Sequence, residues 1–209
     1  HASGKISLNA HISGPTDELM ISGESSIEDC SMRLRNYYAE FSEISSIMEF
    51  RRNELEIKSL KGKVAEDGDF SATGKIHTSG LEVTGVDISL DSHKIPLQSP
   101  GTYKALVSST LTLRGTEDDL LLQGEIDIDE ARYTRDVRIE KQFVEVKRET
   151  APRRKIPKWV QNFHLAVFIT DKGEVLIKDN LAEVPLKVNL NITGTLENPV
   201  VEGALEGLG

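Results

Sequence analysis

The chain lacks the features that mark several large classes of protein. Its single cysteine, Cys30, cannot form an internal disulfide, so a disulfide-stapled scaffold is excluded. The longest strictly apolar run, Leu165 to Ile169, is far shorter than the roughly 18 to 20 residues that a membrane-spanning helix needs. Lys and Arg total 25 against 34 Asp and Glu, and the net charge of −9 argues against a nucleic-acid partner, whose binding face would be basic.

The usual signatures of catalysis and metal binding are also missing. The five histidines are scattered, without the His-x-His or His-x-x-x-His spacing that places two ligands on one metal. Glu125, Asp127 and Asp129 alternate with isoleucines, so they are predicted to lie along the wet face of one strand rather than around a calcium ion. There is no Gly-x-Ser-x-Gly elbow and no phosphate-binding glycine loop. We therefore expect no enzyme activity, no metal and no cofactor.

A repeat built on paired glycines dominates the sequence. Two glycines nine residues apart occur three times, at Gly14 and Gly23, Gly115 and Gly124, and Gly194 and Gly203. In each copy, the four alternate positions that precede the first glycine are the ones to compare. Eleven of these twelve positions are apolar, and the positions between them are polar. This period-two alternation is typical of a strand with one dry and one wet face. Turn-forming residues lie between the glycines, so each unit is predicted to be an antiparallel hairpin.

The rest of the chain follows a similar pattern. Asp67-Gly68 predicts a tight hairpin turn, and Asp171-Lys172-Gly173 predicts another. We count about fourteen strands and no convincing helix. At about 4.8 Å per strand, fourteen strands in one meander would line a trough of about 65 Å. The fold class expected from these patterns is all-β.

A basic stretch interrupts the alternation. Residues 132–158 contain ten Lys or Arg and four acids, and residues 148–160 are predicted to be a basic linker. Arg153, Arg154 and Lys155 are candidates for contact with phosphate head groups or an acidic partner; a solvated loop is the alternative. Residues 1–3 resemble the remnant of an expression tag, and we expect 1–209 to be a single segment of a larger protein.

Three ordered motifs give the chain a family resemblance. The first runs from Ile44 and Ile47 through Leu55, Ile57 and Gly62 to Asp67-Gly68 and Gly74. The second runs from Leu111, Leu113 and Gly115 to Gly124, Ile126, Ala131 and Tyr133, and the third from Leu190, Ile192 and Gly194 to Asn198-Pro199 and Gly203. In order and spacing they resemble the C-terminal region of TamB, within the AsmA-like group of bridge-like lipid-transfer proteins.

The resemblance implies a fold, a location and partners. The fold would be an open, curved, mostly antiparallel meandering sheet, or β-taco, with an apolar concave face. The full-length protein would be anchored in the inner membrane of a diderm bacterium, and this segment would lie in the periplasm. Its partners would be phospholipid acyl chains, a TamA-like outer-membrane barrel, and nascent outer-membrane proteins.

The function expected from this reading is conduction of phospholipid acyl chains along a hydrophobic groove between the two membranes. Two alternatives are a scaffold for outer-membrane protein assembly that pairs through its sheet edges, and a closed β-sandwich that recognises glycans or proteins. Few bulky rings are available to plug a groove, because aromatics are only 5% of the chain. The residues predicted to line the groove are Ile6, Leu8, Ile12, Leu111, Leu113, Leu122, Ile126, Leu186, Val188, Leu190 and Ile192.

Overall fold

All described strands belong to one open sheet. In this computed structural model the described residues are 2–15, 20–34, 37–80, 82–99, 101–116, 118–134, 162–178 and 183–208. The strands are β1 (Ala2–Ser13), β2 (Met20–Arg33), β3 (Glu40–Arg52), β4 (Glu54–Val64), β5 (Gly68–Ser79), β6 (Glu82–Ser99), β7 (Tyr103–Thr116), β8 (Asp119–Thr134), β9 (Phe163–Lys178), β10 (Glu183–Thr195) and β11 (Pro199–Gly207). They are hydrogen-bonded in chain order, and β1 and β11 are the two edges.

The all-β prediction is confirmed, and the sheet is mostly antiparallel. The exception is β8, which pairs with β9 in parallel. The closed β-sandwich is excluded, because the described strands form a single layer that does not fold back on itself. The described residues contain eleven strands, against about fourteen expected for the whole chain. Some strands are longer than expected, up to 18 residues in β6. Eleven neighbouring strands have ten spacings of about 4.8 Å, so the sheet is about 48 Å wide across the strands.

The glycine repeat forms three hairpins, as predicted. They are β1–β2, β7–β8 and β10–β11. The second glycine of each unit has a φ of +147° (Gly23), +138° (Gly124) or +134° (Gly203), which L-residues rarely adopt. A Cβ at any of the three would collide with a carbonyl oxygen of the preceding strand. Glycine is therefore required at this position of the repeat.

The hairpin predicted at Asp67-Gly68 is present, with its turn at residues 65–67 between β4 and β5. The hairpin predicted at Asp171-Lys172-Gly173 is wrong. Strand β9 runs straight through these residues and pairs with β8 on both sides of them, at Asp171 and again at Glu174. The three residues form an irregularity within one strand rather than a turn, because their partners come from neighbouring strands.

That irregularity belongs to a line of bulges that crosses the sheet. The pairing register shifts at about the same height in the pairs β1–β2, β2–β3, β3–β4, β6–β7, β7–β8, β8–β9 and β9–β10. Three non-glycine residues on this bulge line, Asp29, Glu43 and Lys94, have φ between +47° and +50°. Bulges bend a strand and increase its twist, so aligned bulges bend the whole sheet along one line.

The bulge line divides the sheet into two arms. The short arm ends at the β4–β5 turn (65–67) and the β6–β7 turn (101–102), and the long arm ends at turn residues 53, 80 and 118. Buried side chains are concentrated near the line, and they include Ile44, Ser46, Val64, Ser92 and Val188. No helix occurs among the described residues, and hence none there is long and apolar enough to cross a membrane.

Candidate functional site

One side of the sheet, here called the apolar face, carries rows of apolar residues from edge to edge. Residues directly opposite each other on paired strands project from the same side, so a row can be traced through the register. One row crosses all eleven strands: Ile6, Ile27, Ser46, Leu60, Ala72, Leu90, Leu111, Gly124, Val167, Ile192 and Val201. It contains no charged residue.

A second row lies two residues farther along each strand, except in β4, where a bulge between Ile57 and Leu60 makes the separation three. Its members are Leu8, Ser25, Met48, Ile57, Gly74, Ile88, Leu113, Leu122, Leu165, Gly194 and Pro199. A third row crosses the first nine strands: Ala10, Gly23, Phe50, Leu55, Ile76, Val86, Gly115, Leu120 and Phe163. The three rows form a continuous uncharged strip that runs perpendicular to the strands.

The residues predicted to line a groove all project from this face, but they form two separate groups. Ile6, Leu8 and Ile12 lie on the edge strand β1, where they are 61–70% exposed. The other eight lie on β7, β8 and β10, where Leu113 pairs directly with Leu122. Strand β9 separates β8 from β10 and contributes Leu165, Val167 and Ile169 to the same face.

The predicted set omitted the middle of the sheet. Strands β3 to β6 supply residues to all three rows, and the alternation around Leu55 and Ile57 was the signal that could have identified them. An aromatic cluster was also missed. Phe41 and Phe70 meet edge to face with ring centroids 6.0 Å apart, and Tyr37 lies 5.4 Å from Phe41.

Tyr37 fixes the loop between β2 and β3 against β6. Its hydroxyl donates a hydrogen bond of 2.6 Å to the carbonyl oxygen of Pro96. Burial, with a smaller contribution from Tyr38, raises the pKa of this hydroxyl above its usual value. The loop therefore reaches past the β4–β5 turn and closes part of the short arm with aromatic side chains.

The opposite side, here called the polar face, is held by cross-strand ion pairs. Arg114 forms an ion pair with Asp87, and Lys75 forms one with Glu54, both at 3.0 Å. Lys58 in β4 forms an ion pair with Glu49 in β3, and within β3 Arg51 donates to the same carboxylate at 2.6 Å.

Two carboxylates on the polar face have lowered pKa values. Hydrogen bonds from Arg51 and then from Lys58 lower the pKa of Glu49 to about 2. Burial raises the pKa of Asp127, but hydrogen bonds from Lys172 (2.5 Å) and Thr170 (2.9 Å) outweigh it and hold that pKa below its usual value. Both carboxylates are therefore charged structural partners on the wet side of the sheet.

Contacts at the bulge line explain why Asp171-Lys172-Gly173 is not a turn. The Asp171 carboxylate accepts a 2.6 Å hydrogen bond from the backbone N–H of Val188 in β10. Lys172 reaches the other way, to Asp127 in β8. The segment is thus fixed to the strands on both sides of it.

Two further predictions concern charged groups. Within the described ranges, no group of three or more His, Cys, Asp or Glu side chains is arranged to hold a metal ion. Glu125, Asp127 and Asp129 lie on β8, and Asp127 is bound to Lys172 and Thr170 as described above. Arg153, Arg154 and Lys155, with the whole predicted linker 148–160, lie outside the described residues.

The described strands thus form an open single-layer sheet, with an uncharged strip across one face and ion pairs on the other. Residues 58–206 match the family model of the TamB C-terminal domain. The match covers more than two-thirds of the chain, and the chain therefore belongs to the TamB family. This is a cell-envelope family associated with the translocation and assembly module and is not a known enzyme family. No curated protein and no solved structure matches the chain.

Proposed function

We propose that this chain is a periplasmic segment of a groove that conducts phospholipid acyl chains between the inner and outer membranes. The observation that carries the proposal is the uncharged strip, which crosses every described strand without a charged side chain. An acyl chain resting on it stays out of water over a sheet width of about 48 Å. Each CH₂ kept from water is worth about 0.8 kcal/mol, so a sixteen-carbon chain would otherwise lose on the order of 12 kcal/mol.

The burial pattern supports a concave apolar face. When a sheet bends, side chains on the inside of the bend crowd together and lose exposure, whereas those on the outside spread apart. Ile44, Ser46, Val64, Ser92 and Val188 all project from the apolar face near the bulge line and are at most 6% exposed. On the polar face Asp127 is buried where Lys172 covers it, and Pro96 and Leu176 on the short arm are buried as well. The bend thus favours a trough on the apolar side.

Photo-cross-linking tests the proposal. A photo-reactive residue is placed at Leu111 or Leu190 on the apolar face, and at the neighbours Thr112 or Asn189 on the polar face as matched controls. In cells, mass spectrometry should find phospholipid adducts at the first two positions and none at the controls. Lipid capture at all four positions, or at none, would contradict a groove on this face.

A second candidate function rests on the sheet edges. In the described part of the chain, β1 and β11 each pair on one side only, and exposed edges readily accept another strand. They would serve as a scaffold for nascent outer-membrane proteins, together with a TamA-like barrel. Cross-linkers at Asn9 in β1 and Glu202 in β11 would then capture outer-membrane protein, whereas those at Leu111 and Leu190 would not capture lipid.

A further inference from the structure

Two cations face each other at the short-arm end of the sheet. Lys104 in β7 is directly opposite Arg132 in β8, and both are exposed. Gln98 in β6 pairs with Lys104 from the other side. Like charges directly opposite each other on neighbouring strands destabilise a sheet. None of the ion pairs between described residues includes Lys104 or Arg132.

These cations line a cavity of about 280 Å³ at the β6–β7 turn. Its polar lining side chains are those of Gln98, Ser99, Thr102, Tyr103, Lys104 and Arg132. All six can donate a hydrogen bond, and none is an acid. An adjoining cavity shares Gln98, Lys104 and Arg132 and includes Glu130, which pairs with Glu174 in β9, so these two acids lie on the side away from the turn.

The cavity wraps around the end of the sheet, where the two faces meet. Tyr103 pairs with Tyr133 and projects from the apolar face, whereas its neighbour Lys104 projects from the polar face, yet both line the cavity. The other ends of strands β6 to β8 carry acids, namely Glu82, Asp118 and Asp119. An anion is thus attracted to the short-arm end of these strands and repelled from the long-arm end.

We propose that this cavity binds the phosphate of a phospholipid head group while the acyl chains lie on the apolar face. The inference rests on the proposed lipid function and adds an orientation to it. Lys104 and Arg132 would supply charge-assisted hydrogen bonds, and Gln98 and Thr102 would supply neutral ones. The phosphate would also relieve the repulsion between the two cations.

The test compares one double variant with a control of equal charge. Lys104→Gln combined with Arg132→Gln removes the cation pair, and Lys61→Gln combined with Lys187→Gln removes two exposed cations from other parts of the polar face. Each protein is titrated calorimetrically with dihexanoyl-phosphatidylglycerol below its micelle concentration, with dihexanoylglycerol, and with inorganic phosphate. We expect phosphatidylglycerol to bind the first variant about tenfold more weakly than wild type, with the control unchanged.

The three probes separate the failure of this site from the failure of the groove. Dihexanoylglycerol, which has no phosphate, should bind all three proteins equally. Equal binding of phosphatidylglycerol to the first variant and to wild type would overturn the head-group site and leave the groove intact. Inorganic phosphate binding wild type as tightly as the phospholipid does would show a free-anion site instead. If neither lipid binds wild type, the groove itself is refuted together with this site.

Discussion

Replacing Gly124 tests the structural basis of the glycine repeat. Its φ of +138° is a conformation essentially restricted to glycine, which costs another residue about 1–3 kcal/mol. In Gly124→Ala the new Cβ would also overlap the carbonyl oxygen of Thr110 and lie 3.0 Å from the Cα of Leu111. Relieving this overlap means separating β7 from β8, at a cost of about 1–3 kcal/mol. The expected loss of stability is therefore about 2–6 kcal/mol.

Gly101→Ala is the matched control. Gly101 has a φ of +72°, but a Cβ there meets nothing within 4 Å, so only the left-handed backbone penalty of about 1–2 kcal/mol applies. Amide hydrogen exchange measures the local difference. The overlap adds about 1–3 kcal/mol, and about 1.4 kcal/mol corresponds to tenfold, so the amides of β7 and β8 should exchange at least about fivefold faster in Gly124→Ala than in Gly101→Ala. Equal exchange in the two variants would refute the account of the repeat.

Two further changes probe the aromatic loop and the polar face. Tyr37→Phe removes the hydrogen bond to Pro96, so hydrogen exchange around the β2–β3 loop should accelerate by an amount equivalent to about 1 kcal/mol. Unchanged exchange would contradict the role of Tyr37 in fixing this loop against β6. The folded-state pKa of Glu49 is lowered from 4.5 to about 2, so its contribution to stability is present above pH 4.5 and is lost as pH falls through 2. Urea midpoints measured over this range should fall more steeply for wild type than for Glu49→Gln, and parallel curves would argue against the Arg51 and Lys58 contacts.

The hairpins were predictable because their signals are local. Alternation before Gly14, Gly115 and Gly194 sets which residues share a face, and the turn residues that follow bring the chain back antiparallel. The same information placed Leu111, Leu113 and Leu190 on one side of the sheet. No contact between distant strands was needed for either conclusion.

The bulge line and the parallel pair were not predictable in this way. Asp171-Lys172-Gly173 has the composition of a turn, and only its contacts with Val188 in β10 and Asp127 in β8 keep the strand extended. The parallel β8–β9 pairing likewise depends on which strands become neighbours, since the two strands are joined by the long connection 135–162. Register between distant segments leaves no local mark in the sequence, and so a bulge such as Asp171-Lys172-Gly173 is easily mistaken for a turn.

The position of the bulge line determines where an acyl chain would lie. The three apolar rows are two residues apart along every strand but β4, so they span about 13 Å along the strands and about 48 Å across them. All three lie on the long arm, whereas Tyr37, Phe41 and Phe70 fill part of the short arm between β2 and β6. A chain moving along the strip therefore crosses every strand in turn and passes beside the aromatic cluster rather than through it. At β7 and β8, Tyr38 from the same loop lines the cavity that adjoins Lys104 and Arg132, whereas the cavity at the β6–β7 turn is lined by Tyr103 and Lys104 without Tyr38.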